Sequence, residues 1–71
     1  MTHEFTQNDW QQMPGGSKIE FPIEESNDKH IIQVYQTDGN TARIIEAPFI
    51  IDENILKIET NIPFAGYVVI K

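Results

Sequence analysis

The chain contains no cysteine, so neither a disulfide nor a thiolate zinc centre braces it. Its two histidines, His3 and His30, do not make up a structural zinc set on their own. A chain of 71 residues is one small domain. At about this size a fold buries only ~60% of the surface its unfolded chain exposes. Without disulfides or metals, stability has to come from close packing or from self-association. Basic residues are scarce. Lys18, Lys29, Arg43, Lys57 and Lys71 stand apart from one another against eleven acids, for a net charge of −6. Direct nucleic-acid binding needs clustered Lys and Arg to neutralise phosphates, so it is not expected. The acidic balance reads first as a solubility device. Its sharper readings are a partner with a basic surface, or loosely held cations. No apolar run approaches the roughly 20 residues of a membrane helix. The start, "MTHEFTQNDW", has no basic n-region and no apolar h-region, so secretion by a signal peptide is not expected. Met1 reads as the native start of a short gene product.

What is present divides at Pro14-Gly15-Gly16. Residues 1–16 form a polar lead carrying Phe5, Trp10 and Met13, and residues 17–71 form a body rich in Ile, Val, Phe and Tyr. No internal repeat or low-complexity segment occurs. The lead has two readings. Thr6-x-x-Asp9 fits a capping box that starts a short helical turn through Trp10 and Met13, stopped by Pro14. Alternatively, a strand begins at residues 4–6. In both readings Phe5 and Trp10 pack onto the body.

Five strand candidates follow. "SKIEFPI" sets Ile19, Phe21 and Ile23 against Lys18, Glu20 and Pro22, a period of two. Pro22 lacks a ladder donor, so this strand lies at an edge, or the Pro22 nitrogen points away from its neighbour. The polar residues 24–28 are a turn. "KHIIQVYQT" has apolar residues on both faces, the mark of a central strand. Asp38-Gly39-Asn40 is a tight hairpin turn. In "TARIIEAPFII" the ladder breaks or bulges near Ala47, because Pro48 interrupts it. The strands with Pro22 and Pro48 are the expected guarded edges. After the turn Asp52-Glu53-Asn54, "ILKIET" sets Leu56, Ile58 and Thr60 against Ile55, Lys57 and Glu59. A third turn at Pro63 precedes "AGYVVIK", with Val68 and Ile70 on one face and Tyr67 and Val69 on the other. Short strands with turns every 8 to 12 residues or so predict an all-β fold: a small antiparallel sandwich or barrel of about five to six strands.

Catalytic signatures are missing. No thiol is available, and Ser17 and Ser26 lack a glycine-flanked elbow and evident His-Asp partners. The acid pairs Glu24-Glu25 and Asp52-Glu53 fall in predicted turns and read as solvated. A domain this thin is expected to leave little room for a pocket of a few hundred cubic ångströms. The sequence therefore reads as a non-enzyme without a cofactor. Glu24, Glu25 and Asp28, and separately Asp38-Gly39-Asn40, do not match a calcium-binding loop, so no metal site is assigned. His30 reads as a surface or hydrogen-bonded residue. The candidate contacts for a partner or a glycan are Trp10, Tyr35 and Tyr67. Trp10 reads first as a core or lid residue, and Tyr35 and Tyr67 share one side of the sandwich.

The order of these elements resembles a small β-sandwich module found in tail fibres and other structural proteins of tailed bacteriophages and prophages. The matching residues are Val34-Tyr35 ahead of Asp38-Gly39-Asn40, then Asp52-Glu53-Asn54, then Ile55, Leu56 and Ile58. They end in Phe64-Ala65-Gly66-Tyr67-Val68-Val69-Ile70, and the lead "FTQNDW" is similar to the approach to that module. The resemblance implies a non-catalytic virion component of tail, fibre or baseplate, acting in assembly or host attachment. Its partner would be a second copy or a larger virion protein. Its location would be the virion, or the bacterial cytoplasm if it is not a phage product. Two readings stand beside it: an acidic cytoplasmic regulator that occupies a basic surface of a partner protein, and a small carbohydrate-binding module.

Overall fold

The computed structural model of the chain describes residues 1–24 and 30–71, so most of the turn expected at residues 24–28 lies outside the described residues. Within them the chain forms β1 (Thr2–Phe5), a 3-10 turn (Gln7–Asp9), β2 (Gln11–Met13), β3 (Gly16–Pro22), β4 (Ile32–Asp38), β5 (Thr41–Ile45), β6 (Phe49–Asp52), β7 (Ile55–Thr60) and β8 (Gly66–Ile70). They make two four-stranded sheets, ordered β1-β8-β4-β5 and β2-β3-β7-β6, with antiparallel pairing throughout. The shortest extent is 17 Å, as expected for two sheets packed about 10 Å apart. This is the all-β sandwich that the turn spacing predicts, with eight strands where five or six were counted.

Alternation builds the core. β3 turns Ile19 and Phe21 inward, and Ile23 follows them. β7 turns Leu56 and Ile58 inward, β4 turns Val34, and β8 turns Val68 and Ile70. Leu56, Ile58 and Val68 have no exposed surface and form its centre. Each such side chain stabilises the fold by about 1.5–3 kcal/mol through burial. β4 lies between β8 and β5, the central position its two apolar faces indicate. Pro22 sits within β3, which is not an edge strand. The next residue, Ile23, donates its N–H to the Asn54 carbonyl at 2.8 Å on the β7 side. Successive N–H groups alternate, so the Pro22 nitrogen points to the other side, where β2 has already ended.

The lead is part of both sheets. β1 pairs with β8, β2 pairs with β3, and Pro14-Gly15 is the turn of the β2–β3 hairpin. The two readings of the lead occur in succession, first a strand and then a capped turn. The Thr6 N–H donates to Asp9 Oδ2 at 2.7 Å, and Thr6 Oγ1 accepts from the Asn8 N–H at 3.3 Å. The turn stops before Trp10, which is extended (φ −78°, ψ 143°). A continuation through Trp10 and Met13 does not form, since so short a helix cannot recover its nucleation cost, whereas residues 11–13 gain a ladder with β3.

"TARIIEAPFII" also divides. β5 ends at Ile45, residues 46–48 cross the sandwich, and β6 joins the other sheet. The break at Pro48 is thus a change of sheet, and it sets the last strands of both sheets on one side of the molecule.

Candidate functional site

The β6 strand, Phe49–Asp52, is the edge of its sheet and is exposed along its whole length. Its backbone alternation can be read from the ladder. The Glu59 N–H donates to the Pro48 carbonyl at 3.0 Å, and Asp52 pairs with Ile55 across a two-residue turn. Pro48, Ile50 and Asp52 therefore direct their ladder groups to β7. Phe49 and Ile51 direct their N–H and C=O groups outward to the open edge. On the inner face, Phe49 and Ile51 lie opposite the fully buried Ile58 and Leu56. Even so, Phe49 is 45% and Ile51 39% exposed, and Ile50 on the outer face is 53% exposed. The sandwich is open along this side.

Other edges of the two sheets are better defended. β2 is three residues long, polar in Gln11 and Gln12, and ended by Pro14. β1 carries Thr2 and Glu4 on its outer face. β5 offers Thr41, Ala42 and Arg43 before Ile44, which is 58% exposed. Short length, polarity and charge are the usual protections of an edge strand. β6 has three consecutive bulky apolar residues and a single charge at its end. The proline expected to guard it lies just before the strand, where it turns the chain and leaves the edge open.

Two clefts open on the same side. One, of about 780 Å³, runs between Val34, Ile44, Ile45 and Phe49. The other, of about 400 Å³, lies between Met13, Ile45, Pro48 and Ile62. The expectation of too little room is corrected by these volumes. Glu46 borders both clefts and precedes β6, while Asp52 and Glu53 end it. The apolar edge is therefore acidic at each end.

Of the three contacts named from the sequence, Tyr35 and Tyr67 come together and Trp10 lies apart from them. Trp10 is 8% exposed and belongs to the core, the position the sequence reads first for it. Its ring meets Phe5 edge-on at 5.5 Å and Phe64 at 5.1 Å, and its Nε1–H donates to the Phe64 carbonyl at 2.8 Å. The ring and its polar tip are thus engaged by the protein. Tyr35 and Tyr67 stand opposite each other on β4 and β8, with ring centroids 4.8 Å apart and planes 21° apart. They lie half-buried on the outer face, as a cross-strand aromatic pair that stabilises the ladder. On their far sides Tyr35 is flanked by Ile44 of β5 and Tyr67 by Glu4 of β1.

The outer face of the other sheet is a checkerboard of charge. Lys18 lies opposite Glu59 and Glu20 opposite Lys57, with ion pairs Lys18–Glu20 at 3.3 Å and Lys57–Glu59 at 3.9 Å. Such a face is well solvated. Among the described residues, no three His, Cys, Asp or Glu side chains converge. His3 stacks on Phe21 with centroids 5.0 Å apart. No helix of the described residues is long and apolar enough to cross a membrane.

No protein-family model, curated protein or solved structure matches the chain. The site therefore rests on its own geometry. Sequence reasoning missed its central residues, Phe49, Ile50 and Ile51. The available signal was "PFIID", a proline followed by apolar residues that belong to both faces of a strand.

Proposed function

We propose that the chain is a non-catalytic interaction module that binds a protein partner through its β5–β6 side. The observation that carries this reading is β6: an undefended edge strand with Phe49, Ile50 and Ile51 exposed beside an open cleft. A strand of this kind offers ladder groups and apolar surface together, the combination used in β-strand addition. The setting we propose is a tailed-phage or prophage virion, as part of a tail, fibre or baseplate. The resemblance in turn order and in the closing "FAGYVVI" strand supports that setting. Mass spectrometry of particles purified from the source strain tests it: the chain is expected among the virion proteins, and its absence from them overturns the setting.

Glycan recognition is a second reading, favoured by the stacked, half-buried pair Tyr35 and Tyr67 on the outer face of its sheet. It predicts that their NMR signals shift with some member of a broad glycan panel, and unchanged spectra remove it. An acidic regulator of a basic partner has less support. The ion-paired face of Lys18, Glu20, Lys57 and Glu59 divides the surface charge instead of gathering it.

A further inference from the structure

Resting on the reading of the β5–β6 side as the working surface, we infer that the occupant of the β6 edge is an extended segment of a different polypeptide, apolar in its middle and carrying Lys or Arg at both ends. It adds to the sheet as a fifth strand next to β6.

The backbone dictates the extended form. Phe49 and Ile51 leave two N–H and two C=O groups facing outward in strand geometry, and an added strand satisfies all of them. The side chains dictate the middle. Phe49 and Ile51 reach the inner face and stay partly uncovered, so the occupant's inward residues have to be apolar to close the cleft beside Ile45.

Charge selects among occupants. A second copy pairing β6 with β6 about a two-fold axis sets the start of one strand against the end of the other. Glu46 of each chain then approaches Asp52 and Glu53 of its mate, at both ends of the pairing. Like charges facing each other across a ladder destabilise it. Lys57, opposite Ile50 on the neighbouring strand β7, is already ion-paired with Glu59. A segment with basic residues at both ends turns each of these repulsions into an attraction.

The test uses the isotope-labelled full chain and two synthetic peptides. One has a central Val-Thr-Val-Thr-Val flanked by two lysines on each side, and its twin has glutamates in place of the lysines. The lysine peptide is expected to shift the Phe49 and Ile51 amide signals and to slow their hydrogen exchange. The Ile50 and Asp52 amides already face β7 and gain no protection. The glutamate twin is expected to bind about ten-fold more weakly or worse, with the difference shrinking as salt is raised. The triple variant Glu46→Lys, Asp52→Lys, Glu53→Lys changes three exposed side chains and is expected to reverse the preference. Binding of neither peptide, equal binding of both, or an unreversed preference overturns the inference. A dimer whose Phe49 and Ile51 amides are already protected without peptide also overturns it, because the occupant is then a second copy. That last result leaves the β5–β6 side standing as an interaction surface, so the two readings fail separately.

Discussion

Replacing Trp10 by alanine should remove a large share of the chain's stability, about 3–5 kcal/mol, while Trp10→Phe should weaken it less. The ring is 8% exposed, packs on Phe5 and Phe64, and donates its Nε1–H to the Phe64 carbonyl at 2.8 Å. Truncating a buried Trp to Ala costs about 3–5 kcal/mol through lost burial and the cavity it leaves. At roughly 0.05–0.15 kcal/mol per residue, a domain of this length has only about 4–11 kcal/mol in total. Phenylalanine retains most of the apolar contact and loses the N–H donor. The Phe64 carbonyl, in a half-buried residue, then lacks its partner, at a cost of about 1–3 kcal/mol. With a urea dependence near 1 kcal/mol per molar, the Trp10→Phe midpoint should fall by about 1–3 M. Trp10 is the chain's single tryptophan, so fluorescence is lost in the variants and far-UV circular dichroism has to follow the transition. A Trp10→Ala midpoint within about 0.5 kcal/mol of the native chain would refute the core assignment, since that is the range of surface substitutions.

Three predictions follow from backbone geometry. A Cβ on Gly66 would overlap the Tyr35 carbonyl oxygen, where β8 and β4 approach closely, so Gly66→Ala should cost about 2–3 kcal/mol in a denaturant melt. At Gly39 an added Cβ meets nothing within 4 Å, and only its φ of +61° penalises a side chain, so Gly39→Ala should cost about 1–2 kcal/mol. Among the described residues Glu53 is the non-glycine with positive φ, at 56°. Glu53→Gly should therefore stabilise the β6–β7 hairpin by about 0.5 kcal/mol, the relief of strain less the added unfolded-state entropy, and raise Tm by about 2–4 °C.

Local chemistry was legible in the sequence, and long-range placement was not. Asp38-Gly39-Asn40 forms the predicted hairpin, with Gly39–Asn40 as its two turn residues and Asp38 paired with Thr41. The alternation of Ile19 with Phe21, of Leu56 with Ile58, and of Val68 with Ile70 gave the inner faces correctly, because a period of two is a property of the strand itself. β1 and β2 were harder to see. They are short and mostly polar, and they exist because β8 and β3 supply partners at a distance in sequence. The division at Pro14-Gly15-Gly16 marked a hairpin turn, since the same residue types serve turns and boundaries. The candidate surface was hidden for a related reason. Nothing local distinguishes a central strand with two apolar faces, such as β4, from an edge strand with the same composition, such as β6. Only the sheet order tells them apart, and the sheet order follows from the crossing at residues 46–48.

The claim that the β5–β6 side is the working surface can be tested by site-specific photo-crosslinking in the native setting. A photoreactive residue at Ile50, on the exposed edge strand, is compared with one at Lys18, on the ion-paired face. Ile50 is expected to give a discrete crosslinked protein species, and Lys18 none. Crosslinking from Lys18 with none from Ile50 would contradict the account.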